Sequence, residues 1–173
     1  MIFISRDMHR RSFLAAAATG AAVGLSGCLG GHVEKNVNER VSVAANGGEW
    51  WEIPDIGSAE IGYSFRSDDN WFQVFYFREQ AAFEQYQSYV MTGESESQPR
   101  GDAALGGVAV SDGGDVFEVE NPDDGRTSVT VDEPHYIAVD YSDYHDDMGV
   151  SDHDDPIQVT VDLEIVDPHI DFL

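Results

Sequence analysis

The acidic run from Asp140 to Asp155 holds the densest set of side chains able to do chemistry. It contains Asp140, Asp143, Asp146, Asp147, Asp152, Asp154 and Asp155, with Glu133 just upstream. Hard carboxylate oxygens in one loop suit Ca²⁺, which takes about six to eight oxygen ligands. Asp143, His145 and Asp147 alternate as such a loop requires. Gly149, however, falls one residue late for the bend of an EF-hand, and no closing Glu follows. Three readings stand side by side: a solvated acidic loop, a Ca²⁺ site built on Asp140, Asp143, Asp146 and Asp147, and a transition-metal site using His145 and His153. Trp50 and Trp51 are the second candidate. Neighbours in a strand face opposite ways, so one of the two leaves a one-sided core. That ring can stack on a sugar or a partner protein, unless a second layer or a helix covers it.

Cys28 is the only cysteine, so the chain has no intramolecular disulfide. Leu25, Ser26, Gly27 and Cys28 together resemble a lipobox, in which the Cys sulfur receives a diacylglyceryl group and the chain is cut just before it. Upstream, His9-Arg10-Arg11-Ser12-Phe13-Leu14 resembles the twin-arginine export motif, carried by Arg10, Arg11, Phe13 and Leu14 with His9 in place of the usual Ser or Thr. An uncharged, Ala- and Gly-rich stretch runs from Ser12 to Gly27. A basic head, an apolar segment and small residues before a cut make an export signal. The segment is too short and too weakly apolar for a permanent span. These resemblances imply a twin-arginine lipoprotein signal peptide over residues 1–27 and attachment to the outer face of the cytoplasmic membrane through Cys28. Two acyl chains give the stable anchoring that one does not.

Other catalytic patterns are missing from the sequence. There is no Gly-x-Ser-x-Gly elbow, no HExxH and no paired CxxC. Gly106-Gly107 and Gly113-Gly114 sit in turn-like settings rather than in phosphate-cradling motifs. Carboxylate pairs of the kind used in glycoside hydrolysis are not distinguishable, because acids are everywhere.

Among the 173 residues, 9 Lys and Arg stand against 33 Asp and Glu, a net charge of −24. This excludes a sequence-independent grip on nucleic acid, which needs cations at the phosphates, and electrostatic docking on anionic lipid. A hydrophobic content of 42% and an aromatic content of 11% exclude a disordered chain. From Cys28 onward the balance is 6 basic to 32 acidic residues, a net −26. Such a skin repels itself in dilute buffer, and molar salt, with a screening length of about 3 Å, removes most of that repulsion. One Lys against eight Arg, and 20 Asp against 13 Glu, resemble the proteins of extremely halophilic archaea.

The elements that must position these groups follow from periodicity. Residues 28–40 are polar and predict a flexible tether. From Val41 the alternation has period two. Strands are expected at Val41–Ala45, Trp50–Ile53, Ile61–Phe65, Val108–Val110, His135–Tyr141 and from Ile157 on. The apolar run Trp71–Phe77 predicts a central strand covered on both faces. Ala82, Phe83, Tyr86, Tyr89 and Val90 recur at helical spacing and predict an amphipathic helix packed on a sheet. Residues 92–107 read as a mobile loop. Val116–Glu120 and Thr127–Val131 flank Asn121-Pro122-Asp123-Asp124-Gly125-Arg126 and predict a hairpin.

The expected fold over 41–173 is a mainly β, two-layer antiparallel, jelly-roll-like sandwich with one short helix. The order of an aromatic-rich central strand, a short helix ending in Tyr, a variable loop and further strands, over about 41–166, resembles the GOLD-like and pre-peptidase-like sandwiches of small exported modules. That resemblance implies an interaction or ligand-binding domain. The expectation is therefore a lipid-anchored extracytoplasmic binding module, exported by the twin-arginine machinery and meeting a ligand or protein partner at the cell surface, with no nucleic-acid partner and no enzymatic role. Two alternatives remain open: a calcium-stabilised cell-surface structural protein, and a small hydrolase with an unrecognised acid/base pair.

Overall fold

Strict alternation builds the first layer. In β3 (Gly57–Ser67) Ala59, Ile61, Tyr63 and Phe65 are buried, and in β9 (Ile157–Asp167) so are Ile157, Val159, Val161, Leu163 and Ile165. The antiparallel register sets Ile61 opposite Ile165, Tyr63 opposite Leu163 and Phe65 opposite Val161, so one apolar face is shared. The computed structural model describes residues 32–111, 113–121, 125–145, 150 and 155–168. The residues expected to form a signal peptide and a lipobox, Cys28 included, and Asp146, Asp147 and His153 lie outside them.

The second layer is made by β2 (Gly47–Ile53), β4 (Gln73–Phe77), β5 (Gly107–Val108) and β8 (His135–Tyr141), in the order β2-β8-β4-β5. Its inner face carries Trp51, Ile53, Val74, Tyr76, Ile137, Val139 and Tyr141 into the same core as β3 and β9. Its outer face carries a second, smaller cluster around Phe75, Phe77 and Ala138. Helix α1 (Gln80–Thr92) covers that cluster with Phe83 and Tyr86. The helix stops where Gly93 takes a φ of +77° and donates its N–H to the Tyr89 carbonyl, the left-handed cap that glycine adopts without a Cβ penalty. Thus β4 is buried on both faces, as its unbroken apolar run predicts. Among the described residues no helix is long and apolar enough to cross a membrane.

The first layer has the order β1-β9-β3-β6, with β7 also on β3. Here two expectations give way. β6 (Phe117–Glu120) and β7 (Thr127–Val131) do not form a hairpin. Both run antiparallel to β3, one opposite Ser67–Ser64 and the other opposite Ile61–Gly57, as one edge strand interrupted by an excursion. The side chain of Asn121 bridges the gap, accepting from the Tyr63 N–H and donating to the Ile61 carbonyl at 3.0 Å.

The tether expected over 28–40 also gives way from His32 onward. β1 begins at His32 and runs to Val43, paired along its length with β9. An edge strand bonds through its backbone and needs no alternating apolar face. Its exposed charges instead discourage further pairing. Lys35 is tied down by donating to the Glu52 carbonyl at 2.9 Å.

With β6 and β7 taken as one strand, first pairs with last at every level: β1 with β9, β2 with β8, β3 with β6 and β7, β4 with β5. This is the two-sheet jelly roll.

Candidate functional site

The outer face of β4 and β8 carries polar groups where the inner face carries none of comparable density. Gln73 on β4 lies opposite Asp140 on β8, which lies opposite Gly48 on β2. Asp140 is fully buried. It accepts from the Tyr86 hydroxyl at 3.1 Å and from Ser142 through its hydroxyl at 2.9 Å and its N–H at 3.2 Å. Burial pushes its carboxyl up from 3.8 to about 7, and the bonds from Ser142 and Tyr86 only partly offset that. Tyr86 is itself pushed well above the ordinary tyrosine value, first by burial and then by the Asp140 charge. The pair is a structural knot beneath the helix.

Gly48 makes room for it. A Cβ there would come within 2.0 Å of the Tyr86 hydroxyl and 3.2 Å of the Val139 carbonyl. Gly48→Ala is therefore expected to destabilise the domain by about 2 kcal/mol. Urea unfolding in molar salt checks this. The Gly48→Ala/Tyr86→Phe double variant should lose less than the sum of the two single losses, since the two changes relieve one clash.

Beside the knot, the segment from Pro99 to Val108 docks on the edge of β4. Gly101, at a φ of +68°, lies so close to Tyr76 that a Cβ would sit 2.6 Å from its carbonyl oxygen. Asp102 donates its N–H to that same carbonyl at 2.7 Å and pairs with Arg78 at 2.5 Å. Leu105 is buried and accepts from the Tyr63 hydroxyl at 3.0 Å. The stretch expected to be a free loop is thus fastened to the sandwich at several points. From the other side, Tyr144 packs on Phe75, Tyr86 and Tyr89. The His145 ring follows it, edge-on to Phe75 with centroids 5.6 Å apart.

These pieces line an open pocket of about 220 Å³. It is lined by Gln73, Val74 and Phe75 of β4, by Arg100, Gly101, Ala103, Gly106, Gly107 and Val108 of the docked segment, and by His145. Gln73 and His145 both line it, and each has a buried side-chain nitrogen, Nε2, with no hydrogen-bond partner among the described residues. Gln73 is only 2% exposed. Buried polar atoms are nearly always paired, so two orphans among its lining residues mark it as a place where a partner belongs. No family model, curated protein or solved structure matches this chain. What the site does must follow from its own geometry.

The expected site residues distribute as follows. Asp140 points under the helix with its oxygens engaged by Tyr86 and Ser142, so it is not held out as a ligand for Ca²⁺. Asp143 accepts from the Val150 N–H at 3.0 Å. Asp146 and Asp147 lie outside the described residues. Among the described residues no cluster of three His, Cys, Asp or Glu side chains is placed to hold a metal. Trp51 is a core residue, 8% exposed, stacked on Phe65 and donating its indole N–H to Glu39 at 3.2 Å. Trp50 is half-buried against Phe83 of α1. The helix packs on the outward ring of Trp50 and leaves part of it exposed, whereas the Trp51 ring belongs to the core.

Gln73, Arg100 and the Tyr86–Asp140–Ser142 knot went unread in the sequence. One signal was present: a single amide inside the run WFQVFYF, at a position expected to be covered on both sides. A buried amide needs partners or a ligand.

Proposed function

We propose that the chain is a lipid-anchored binding module on the outer face of the cytoplasmic membrane, taking a small ligand between β4 and the segment after α1. The carrying observation is that two residues lining one pocket, Gln73 and His145, each have a buried Nε2 without a partner among the described residues. A cavity of about 220 Å³ lies below the roughly 300–1,000 Å³ typical of drug-sized ligands, which suits a metabolite of few atoms. The twin-arginine motif at Arg10 and Arg11 and the lipobox ending at Cys28 support export and acylation. The net −26 from Cys28 onward supports a salt-rich setting.

Because β1 begins at His32, four residues beyond Cys28, the lipid can stand no more than about 14 Å from the first strand. The domain is held against the membrane rather than on a long stalk. The cavity belongs to the opposite sheet from β1, so an anchor at the edge of one layer leaves the ligand face of the other free. Cys28→Ser is expected to move the exported protein from the membrane fraction to the soluble fraction. Membrane fractionation in molar salt checks this. Continued partition of the variant with the membrane would overturn the anchor.

A further inference from the structure

We infer that the cavity over β4 is a site for a small monocarboxylate, with Arg100, Gln73 and His145 receiving the oxygens and Phe75 receiving the hydrocarbon end. The inference rests on the binding reading above and adds the ligand's chemistry to it. The polar side chains at the pocket are the Gln73 amide, the Arg100 guanidinium and the His145 ring. Amide and guanidinium nitrogens only donate, and His145 Nε2 donates in the tautomer that carries its proton there. No Asp or Glu lines the cavity among the described residues, in a chain that carries 33 of them. A cation or metal would need anionic oxygens, and none is offered among the described residues. A neutral ligand would leave the guanidinium without a countercharge.

Arg100 is available for this role. It forms no ion pair among the described residues, whereas Arg66, Arg78 and Arg126 are each paired with a carboxylate. A guanidinium presents a fork that fits both oxygens of a carboxylate. Gln73 opens β4, held between Val108 of β5 and Asp140 of β8, and is 2% exposed, so its donor is already oriented. The apolar lining includes Phe75, held by Tyr144 and Tyr86. That lining decides selectivity in a salt-rich medium. Chloride at molar concentration competes for the donors, but it cannot cover Phe75, so a carboxylate with a short alkyl chain gains where the bare ion does not. The small cavity limits that chain to a few carbons.

The test titrates the isotope-labelled full chain with straight-chain carboxylates from acetate to hexanoate, and with the matching neutral amides, at constant molar NaCl. The readouts are the Gln73 side-chain amide and His145 ring resonances. Saturable shifts with a mid-length carboxylate, and at least tenfold weaker binding of its amide, are expected. Arg100→Gln should weaken the carboxylate at least tenfold while leaving the amide unchanged. Gln73→Leu, which fits an apolar environment, should weaken the carboxylate with the fold intact by near-UV circular dichroism. Equal binding of carboxylate and amide would overturn the ligand class while leaving the cavity as a binding site. No saturable shift at either residue from any probe, with the fold intact, would overturn the cavity reading itself.

Discussion

Asn121→Ala is expected to destabilise the domain by about 3 kcal/mol, because the side chain stands in for a missing stretch of strand. Asn121 is 3% exposed and sits where the edge strand leaves β3. Its N–H donates to the Tyr63 carbonyl at 3.2 Å, and its side-chain oxygen accepts from the Tyr63 N–H. Its amide nitrogen donates to the Ile61 carbonyl and to the Thr127 hydroxyl, each at 3.0 Å. Truncation leaves the Tyr63 N–H and the Ile61 carbonyl of β3 without partners, and each buried orphan costs about 1–3 kcal/mol. Thr127→Val removes only one half-exposed bond and should cost less than about 1 kcal/mol. Urea unfolding of the two variants in the same molar salt gives the comparison. Equal losses would show that the excursion holds itself without the asparagine.

The second large effect is expected at Asp140 and depends on pH. Its folded-state pKa, about 7, lies above the ordinary 3.8, with burial as the main cause. Between those values the folded chain holds a proton that the unfolded chain has released. Stability contributed at this site is therefore greatest at low pH, falls as pH rises from about 4 to 7, and is flat above. Holding the carboxylate ionised at pH 8 costs on the order of 4 kcal/mol. Asp140→Asn carries no such proton and keeps an oxygen to accept from Tyr86 and Ser142. Relative to the native chain, the variant should gain stability as pH rises from 5 to 8, by a few kcal/mol. Melting curves at both pH values, in fixed molar salt, measure the difference. Parallel pH profiles for the two proteins would mean that Asp140 is ionised at little cost.

Much of the sandwich was legible because its strands obey a simple physical rule. β3 and β9 each bury one face, and burial of one face writes alternation into the chain. β4 buries both faces and α1 one stripe, and their patterns differ accordingly. β1 was hidden because an edge strand can be held by its partner's backbone while its side chains stay in water. The hairpin expected across Asn121-Pro122-Asp123-Asp124-Gly125-Arg126 had sound turn residues, but the strands on either side of them both pair with β3 and not with each other. Turn chemistry says that a chain bends; it does not say which neighbour it rejoins.

The site was less legible, for two reasons. Carboxylates are so common on this chain that Asp140 looked like one more member of an acidic loop. Its place at the buried end of β8, opposite Gly48 and Gln73, is what turns it into a knot under the helix. The cavity is assembled from β4, the Pro99–Val108 segment and the residue after Tyr144, which are far apart in sequence and share no motif. Only the lone amide of Gln73 inside an aromatic run pointed there.

The claim that this is a binding module stands most directly on the occupancy of that cavity. A fragment library of neutral and charged small molecules, screened by chemical-shift mapping on the full chain in molar salt, tests it without presupposing a ligand. Binders should converge on Gln73, Phe75, Arg100 and His145 and compete with one another. Binders scattered over the surface, or gathered elsewhere with these four residues unmoved, would contradict the account.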